Sequence, residues 1–332
     1  MNIMITCGLG YIGSHTVIKS AQKGNKVFII DNLKNSNISN LTKIKRLTKK
    51  NVFFYNIDIL NFKKIKKILI KKKIDIVLHL AALKDPNESY LKEHDYFKTN
   101  VLGSNSVLQA VIEAGVNKFI FASSASVYGN AKKMPISESF KLQFNNSPYA
   151  QSKILVENYL RDISKIHKKL NICILRYFNP AGAYPSGCIG ELSNKNSKNI
   201  FPMIAKSVKK KKKFYIYKSL DKKTDGSGQR DFVHIMDVAD ANYKLLKNFH
   251  KIKGLEIFNI GSGKSTSVNG VVKIIKLYLN KSFKISYAQK RKGDVDINYS
   301  NINKFKKKFN WKPKKNIYDI CTSFLKWEKI NF

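Results

Sequence analysis

Residues 3–13, Ile-Met-Ile-Thr-Cys-Gly-Leu-Gly-Tyr-Ile-Gly, decide the fold of this chain. The apolar run 3–6 is typical of a buried strand, and it leads through the pattern G-x-G-x-x-G, at Gly8, Gly10 and Gly13, into a helical stretch. A turn of this kind lets the backbone approach a pyrophosphate and directs the N–H groups of a helix N-terminus toward it. The stretch therefore predicts a dinucleotide site where the first strand meets the first helix.

Asp31 closes the next apolar run, residues 26–30. A carboxylate at the end of the second strand can bind the adenosine ribose hydroxyls, and it repels a 2′-phosphate. The combination of strand, glycine turn, helix, strand and acid predicts NAD, in preference to NADP, as the cofactor.

Short apolar runs continue to alternate with helical stretches through the first half of the chain, at residues 52–55, 74–80, 118–124 and 172–175. Alternation of this kind predicts an α/β fold with a doubly wound, Rossmann-like parallel sheet. After residue 179 the periodicity weakens, so we expect a second, smaller α/β substrate domain. The predicted domains are 1–179, with segments at about 230–260 returning to it, and 180–332.

Tyr149 and Lys153 are four residues apart, a spacing that places both side chains on one face of a helix. An ammonium near a phenol stabilises the phenolate, so the pKa of Tyr149 is expected to fall from about 10 toward neutral pH. Ser124 lies 25 residues upstream of Tyr149, at the end of an apolar run. These three side chains together predict a proton-transfer site for an alcohol or a ketone.

The chain carries a formal net charge of +40 over 332 residues. Only five of its 62 basic residues are arginine, at positions 46, 161, 176, 230 and 291, and the lysines are scattered through every segment. Because Lys, Asn, Ile, Phe and Tyr have A/T-rich codons, we attribute the excess to coding bias, with a functional polyanion surface as the alternative. An arginine that survives in such a chain indicates a site that needs a planar, bidentate cation.

The four cysteines, Cys7, Cys173, Cys188 and Cys321, show neither close pairing nor metal-type spacing. We expect them to be reduced, as in a cytoplasmic protein, and we expect no metal site. No apolar run approaches the roughly 18 residues of a membrane span, and no signal-like segment opens the chain. With 43% hydrophobic residues, the chain can bury a core large enough for about two domains.

Eight segments of the chain resemble those of the UDP-glucose 4-epimerases, also called UDP-galactose 4-epimerases, in the extended short-chain dehydrogenase/reductase family. They are residues 10–16 (GYIGSHT), 31–33 (DNL), 83–84 (LK), 121–129 (FASSASVYG), 147–149 (SPY), 175–183 (LRYFNPAGA), 230–237 (RDFVHIMD) and 291–294 (RKGD). The resemblance covers about residues 3 to 328, and the segments together are highly specific for nucleotide-sugar epimerases. It implies reversible C4 epimerisation of UDP-glucose and UDP-galactose through a transient 4-keto sugar and bound NAD, in a homodimer.

The resemblance also implies a role for individual residues. Tyr149 is then the active-site base, Lys153 lowers its pKa and binds the nicotinamide ribose, and Ser124 bonds the sugar 4-hydroxyl. The cofactor set adds to these three Gly8, Gly10, Tyr11, Ile12, Gly13, Asp31, Asn32, Asn35, Ser36, Asp58, Ile59, Leu80, Ala81, Lys84, Tyr177 and Phe178. The substrate set comprises Ser124, Tyr149, Asn179, Asn199, Arg230, Arg291 and Asp294.

The arginines fit this picture. Arg230 and Arg291 match diphosphate-holding positions, where bidentate pairing favours Arg over Lys. Arg176 lies at a strand end, where a structural ion pair is at least as good an explanation.

Three positions depart from the family's pattern. The family usually has glycine at Cys7, where cysteine adds a Cβ that weakens NAD binding or strains the turn. Thr99 stands where a cofactor-contacting Asn is common, and the adjacent Asn100 is a candidate substitute. Asn298 lies near the position where a bulky Tyr often limits the sugar pocket, and a smaller residue there leaves room for an N-acetyl group. A one-residue shift of the alignment would instead place Tyr299 there.

Three other functions stay open. A nucleotide-sugar 4,6-dehydratase needs an Asp-Glu pair after the serine, but Ala125 and Ser126 follow Ser124. A NAD-binding protein that has lost catalysis would be in line with Cys7. A nucleic-acid binder on this fold would show salt-sensitive binding to a polynucleotide instead of binding a UDP-sugar.

Overall fold

The structure is a computed structural model that describes residues 1–49, 52–144, 147–192, 199–279, 283–290 and 295–330. The chain divides into two compact units, each made of three segments. The first comprises Met1–Val127, Leu142–Tyr177 and Ala239–Phe258, and the second comprises Tyr128–Lys141, Phe178–Val238 and Asn259–Phe332. The ligand expected for each domain, and the domain boundaries expected from the sequence, stay predictions.

Strands and helices alternate along the first half of the chain. In order they are β1 (Asn2–Thr6), α1 (Tyr11–Gln22), β2 (Lys26–Asp31), α2 (Ser39–Thr48), β3 (Val52–Asn56), α3 (Phe62–Lys71), β4 (Ile76–His79), α4 (Glu93–Tyr96), the π-helical turn Phe97–Leu102, α5 (Gly103–Glu113), β5 (Lys118–Ser124), α6 (Pro148–Ile166) and β6 (Asn171–Tyr177). The rest are β7 (Asn179–Ala181), α7 (Ile200–Lys209), β8 (Phe214–Tyr217), β9 (Gln229–Arg230), β10 (Phe232–His234), α8 (Ile235–Lys247), β11 (Leu255–Ile260), β12 (Thr266–Ser267), α9 (Val268–Tyr278), β13 (Ile285–Ala288), β14 (Ile297–Asn298), α10 (Asn303–Phe309) and α11 (Ile317–Glu328).

A seven-stranded sheet in the order β11-β6-β5-β4-β1-β2-β3 organises the first unit. Its pairings are parallel; for example, Ile5 lies opposite Ile29 of β2 on one side and opposite Leu78 of β4 on the other. All three side chains are fully buried, as expected for strands that are covered on both faces. The doubly wound parallel sheet predicted from the sequence is confirmed.

The direction in which strands are added reverses at β1, which has β2 on one side and β4 on the other. Helices α3, α5 and α6 pack on this sheet through Leu69, Val107, Val111 and Leu160, which belong to one buried cluster. In doubly wound folds the crevice at such a reversal, outside the carboxyl ends of the strands, is where ligands bind. The carboxyl ends of β1 and β4 are therefore the first place to look for a site.

The second unit has its own buried cluster, contributed mainly by α7, α9 and α11 and by short strands, with Phe201, Ile216, Val271, Ile275 and Phe324 among its members. The strands pair as β10 with β7, as β12-β9-β14, and as β13 with β8. This smaller α/β unit agrees with the predicted second domain. Among the residues that the structure describes, no helix is both long enough and apolar enough to cross a membrane.

Candidate active site

The turn between β1 and α1 is shaped by glycines that a side chain would obstruct. An added Cβ at Gly13 would collide with the carbonyl oxygen of Cys7, and one at Gly8 would lie 2.7 Å from Ile29 Cγ2. The Gly10 N–H donates to the Cys7 carbonyl (3.1 Å) and closes the turn. Gly10 offers no side chain to cap α1, and the first turn of α1 contains no acidic residue. The positive end of α1 therefore suits an anion such as a pyrophosphate.

Cys7 adopts a conformation that favours glycine. Its φ is +53°, in the left-handed region, and its N–H donates to the Ile30 carbonyl (2.7 Å). Its sulfur lies beside Gly10, where an added Cβ would be 2.5 Å from Sγ. Burial, together with the negative charge of Asp31, raises the pKa of the Cys7 thiol to about 12. The sequence left open whether Cys7 weakens NAD binding or strains the turn, and its positive φ shows that the backbone of the turn is strained.

The Asp31 carboxylate ties this turn to the end of β2. Oδ2 accepts the Leu9 N–H (3.1 Å), and Oδ1 accepts the Leu33 N–H (3.0 Å) and the Ser36 hydroxyl (2.8 Å). A carboxylate has about four acceptor positions, and donors from the part of the chain that the structure describes occupy three of them. Ser36, placed in the cofactor set, therefore contacts Asp31 directly.

Asn32 and Asp58, from the ends of β2 and β3, are hydrogen-bonded to each other (2.8 Å from Nδ2 to Oδ2). Burial alone would raise the pKa of Asp58, but the Leu60 N–H, the Asn32 amide and nearby lysines lower it overall. Asn35 is exposed. Ile59 is buried, and a Cβ added to Gly103 would lie only 2.5 Å from its Cδ1. The structure thus groups Asn32 with Asp58, whereas Ile59 is part of the core.

The carboxyl ends of β1 and β4 are joined through a hydroxyl. Thr6 Oγ1 accepts the N–H groups of both Leu80 and Ala81, each at 3.0 Å. Beyond them, Lys84 is exposed and its Nζ lies 5.7 Å from the ring centroid of Tyr11. These predicted cofactor residues therefore lie at the crevice where the strand order reverses.

The structure brings Ser124 and Tyr149 together, with Lys153 one turn further along α6. Ser124 ends β5, and its hydroxyl is hydrogen-bonded to Tyr149 near the start of α6. The Ser126 hydroxyl also donates to Ser124 Oγ (3.0 Å). Ser147 caps α6 by accepting the Ala150 N–H, and Pro148 occupies its first turn. The fixed helix start holds Tyr149 against the end of β5.

The electrostatics of this group differ from the expectation. Burial raises the pKa of Tyr149 above its ordinary value, and the Ser124 hydrogen bond and the charge of Lys84 oppose that rise. Lys153 Nζ instead donates to the Ala122 carbonyl (2.8 Å) and lies 4.8 Å from the Phe121 ring centroid. Burial lowers the pKa of Lys153 to about 7, against the opposing charge of Glu157. The predicted fall in the Tyr149 pKa is thus outweighed by burial, and Lys84 is the cation that lowers it.

Asn100, the suggested substitute for Thr99, is fully engaged inside the protein. Its amide accepts the Leu83 N–H (2.8 Å) and donates to the Leu83 carbonyl (3.0 Å) and to Ser152 Oγ (2.9 Å). Ser152 in turn donates to the Tyr149 carbonyl (2.7 Å). Asn100 is therefore placed to fix the segment at Leu83 against α6.

Arg176 forms the structural ion pair that, from the sequence, is at least as good an explanation of its position. Its Nε and NH2 donate to Glu157 Oε1 (3.0 Å) and Oε2 (2.6 Å), and both residues are buried. The Ser123 hydroxyl adds a hydrogen bond to Glu157 Oε1 (2.6 Å). Glu157, one turn after Lys153 on α6, did not stand out in the sequence, because a single Glu on an amphipathic helix gives no signal of burial.

Tyr177 and Phe178 are buried in different units. The Tyr177 hydroxyl donates to Asn242 Oδ1 (2.7 Å), and burial raises its pKa. Phe178 lies with its ring centroid 6.4 Å from that of Tyr128. Each has a packing role within its own unit, and their contact with the nicotinamide stays a prediction.

The predicted substrate residues that the structure describes all belong to the second unit, apart from Ser124 and Tyr149. Asn179 Nδ2 donates to the Asp231 carbonyl (3.1 Å), and Asn199, exposed before α7, donates to Glu191 (3.0 Å). The Arg230 guanidinium donates to the Gln229 carbonyl (3.0 Å). Arg291 and Asp294 lie outside the described residues.

Asp231 holds the segments around two predicted site residues in place, and the sequence did not single it out, although it stands in the motif at residues 230–237. Its buried carboxylate accepts hydrogen bonds from the N–H and hydroxyl of Ser262, the N–H of Gly263, and the N–H and hydroxyl of Ser300. Its own N–H donates to the Asn298 carbonyl (2.9 Å). Asp231 thereby fixes the strands that carry Arg230 and Asn298, and only the three-dimensional contacts could reveal this.

Comparisons with known proteins agree on one group. The model of the NAD dependent epimerase/dehydratase family matches residues 3–261. The chain is 36% identical to the UDP-glucose 4-epimerase of Yersinia enterocolitica over 332 residues, covering 100% of this chain and 98% of the relative.

Two solved structures are also similar, each with a TM-score of 0.94, 32% identity and coverage of 99% of this chain and 98% of the other. One is the UDP-glucose 4-epimerase of Stenotrophomonas maltophila with bound NAD and formylated UDP-arabinopyranose. The other is the UDP-glucose 4-epimerase of Bifidobacterium longum in complex with NAD+ and UDP. The resemblance drawn from the eight sequence segments is confirmed.

Proposed function

The chain belongs to the NAD dependent epimerase/dehydratase family, and from that premise we propose that it interconverts UDP-glucose and UDP-galactose by epimerisation at C4. The observation that carries the proposal is the hydrogen-bonded pair of Ser124 and Tyr149 beside the buried Lys153. This pair can take a proton from a sugar hydroxyl and return it, which is the acid–base chemistry that the reaction needs.

The first unit is proposed to hold the cofactor. The N-terminus of α1 receives the pyrophosphate, and the fourth acceptor position of Asp31 receives a ribose hydroxyl. When bound, NAD would supply a reversible hydride acceptor for C4 of the sugar, with return of the hydride to the opposite face of the 4-keto sugar. Because the cofactor is regenerated in each cycle, turnover needs no net oxidant.

Tyr149 is proposed to remove the proton from the 4-hydroxyl, directly or through Ser124. Burial holds the pKa of Tyr149 up, and the Ser124 hydrogen bond and Lys84 hold it down. The positive charge of an oxidised nicotinamide would stabilise the phenolate further, by the same Coulombic effect. Lys153, held on the Ala122 carbonyl, is proposed to bind the nicotinamide ribose and to orient it.

The second unit is proposed to hold UDP through Asn179, Asn199 and Arg230, together with Arg291 and Asp294. The Arg230 fork is kept in place by the Gln229 carbonyl and by the strand pairing that Asp231 secures. Anchoring the diphosphate leaves the sugar free to turn while its 4-keto form is retained. Binding energy remote from C4 thereby serves the chemistry.

We further propose that N-acetylated UDP-sugars are accepted. Asn298 is smaller than tyrosine, and its side-chain carbonyl is buried without a hydrogen-bond partner among the described residues. An acetamido N–H is a donor of the kind that this carbonyl lacks. A preference of more than about a thousandfold for UDP-glucose, roughly 4 kcal/mol, would instead point to a bulky gate such as Tyr299.

We propose a cytoplasmic homodimer. All four cysteines are free, which suits a reducing compartment. On the first unit, α6 and the turn Phe97–Leu102 pack together and leave apolar side chains exposed, with Phe97 48%, Leu102 47%, Leu155 45% and Tyr159 41% exposed. An apolar surface of this kind on two adjacent helices is typical of a contact with a second copy.

The test is to incubate the purified protein with UDP-galactose, without added NAD, and to follow the sugar signals by NMR. UDP-glucose should accumulate until the two sugars reach equilibrium, and the Tyr149→Phe protein should convert far more slowly. Formation of a 4-keto-6-deoxy sugar would indicate dehydratase chemistry. Absence of any turnover, with NAD bound, would indicate a cofactor-binding protein without catalysis.

A further inference from the structure

A buried chain of hydrogen bonds runs behind the carboxyl ends of β1 and β4. Thr6 Oγ1 lies 2.8 Å from His79 Nδ1, and His79 Nε2 lies 2.9 Å from Ser104 Oγ. The Ser104 hydroxyl lies 2.5 Å from the Asn100 carbonyl. Thr6, His79, Ser104 and Asn100 are all at most 3% exposed.

The direction of every proton in this chain follows from its partners. A carbonyl can only accept, so the Ser104 hydroxyl donates to Asn100, and His79 Nε2–H must donate to Ser104. His79 Nδ1 is then unprotonated and accepts the Thr6 hydroxyl. This leaves both lone pairs of Thr6 Oγ1 for the two N–H groups of Leu80 and Ala81. Every donor in this arrangement then has an acceptor.

We propose that Thr6 and His79 are positioning residues for the cofactor crevice: the neutral Nε2–H tautomer of His79 orients the Thr6 hydroxyl, which fixes the backbone of Leu80 and Ala81. The inference rests on the proposed function for its ligand, since Leu80 and Ala81 are predicted NAD contacts. It adds two residues that neither the motifs nor the cofactor set contained.

The surroundings of His79 maintain this state. Its ring lies 6.1 Å, between centroids, from each of the Phe119 and Phe121 rings, and it is only 1% exposed, so bulk water does not reach its hydrogen bonds. Lys153, from α6, is the charged group whose field acts on it. Burial and that positive charge both disfavour an imidazolium. A protonated His79 would donate from Nδ1 and would turn the Thr6 proton away, leaving one of the two N–H groups without an acceptor.

Thr6→Val and Thr6→Ser form a matched pair for the test, because valine keeps the shape and removes the hydroxyl whereas serine keeps the hydroxyl. On the protein without cofactor, amide hydrogen exchange at Leu80 and Ala81 should be about tenfold faster in Thr6→Val and near the parent rate in Thr6→Ser. The NAD dissociation constant, measured on folded protein, should rise by about tenfold in Thr6→Val and stay near the parent value in Thr6→Ser. One buried hydrogen bond is of this order.

Nitrogen-15 NMR of the His79 ring reads the tautomer at neutral pH. The parent should show a protonated Nε2 and a bare Nδ1, and Ser104→Ala, which removes the acceptor of Nε2–H, should weaken NAD binding. A bare Nε2 in the parent would overturn the proposal. The proposal would also be overturned if Thr6→Val lost amide protection at Leu80 and Ala81 while its NAD dissociation constant stayed unchanged. If Thr6→Val does not fold, the same combination of results in Ser104→Ala would overturn it. If the parent binds no NAD, the proposed function fails. The amide exchange rates and the His79 tautomer would still show whether the hydrogen bonds are arranged as proposed.

Discussion

Replacing Cys7 separates backbone strain from side-chain bulk in the glycine turn. At φ +53° a residue with a Cβ is disfavoured by about 1–2 kcal/mol, whereas glycine in a fixed conformation loses about 0.5–1 kcal/mol more entropy than alanine. Cys7→Ala keeps the Cβ and removes the sulfur, and Cys7→Gly removes both. Relief of strain should outweigh entropy, so the glycine variant should be the more stable of the two by about 0.5–1 kcal/mol. In an ordinary strand or helix position the order would be reversed.

Urea unfolding of the two variants in the absence of cofactor gives this difference directly. The NAD that copurifies, measured after denaturation, gives the functional part: occupancy should rise in Cys7→Gly, and dependence on added NAD should fall. An equal gain in Cys7→Ala would assign the effect to the sulfur that lies beside Gly10. Cys7→Gly less stable than Cys7→Ala would refute the strain argument, and full NAD occupancy in the parent, unchanged in both variants, would show that the departure has no functional consequence.

Four further outcomes are expected. Tyr149→Phe should lower turnover by about 10²–10⁴-fold with UDP affinity, measured by calorimetry, nearly intact; turnover near the parent's would remove Tyr149 from the mechanism. Lys153→Ala should lower turnover and leave the rise of the pH–rate profile unmoved, because Lys84 is the cation that lowers the pKa of Tyr149; a profile moved to higher pH would show that Lys153 also acts on the base. Burial lowers the pKa of His79 to about 3 from 6.5, so the unfolded chain binds the extra proton between these values and stability falls with acid, by about 1.4 kcal/mol per pH unit within the range. Urea unfolding at pH 4.5 and 6.5 should show this slope in the parent and lose it in His79→Gln. Arg230→Lys should raise the Michaelis constant for UDP-glucose at unchanged charge, and equal constants would refute the bidentate argument.

The sequence sufficed for features that depend on neighbours along the chain. The glycine turn, the acid that closes β2 and the four-residue spacing of Tyr149 and Lys153 are local patterns, and the structure has them where they were expected. The direction of an effect that depends on burial could not be predicted from the sequence. Whether Cys7 has positive φ, and whether the Tyr149 pKa rises or falls, is decided by strands and helices far away in sequence.

Hydrogen bonds between residues far apart in the sequence also could not be predicted. Asp231 bonds residues about 30 and 69 positions further along the chain, and His79 bonds residues 73 and 25 positions away. His79 is a single polar residue in an apolar segment, and Asp231 is the last of three consecutive polar residues, 229–231, so sequence periodicity identifies a partner for neither. Their partners become visible only when the fold brings them together.

The order in which the segments are synthesised has a consequence for making the protein. The sheet of the first unit is not complete until β11 has been added, at Leu255–Ile260, long after β6 ends at Tyr177. A ribosome releasing the chain from its N-terminus therefore exposes an open strand edge on β6 while some sixty residues of the other unit, Phe178–Val238, are still being translated. Unpaired edges of this kind invite intermolecular pairing. A gene fragment that stops near residue 180 should accordingly give aggregated product, whereas one that also supplies residues 239–258 through a linker has every strand-forming segment of that unit.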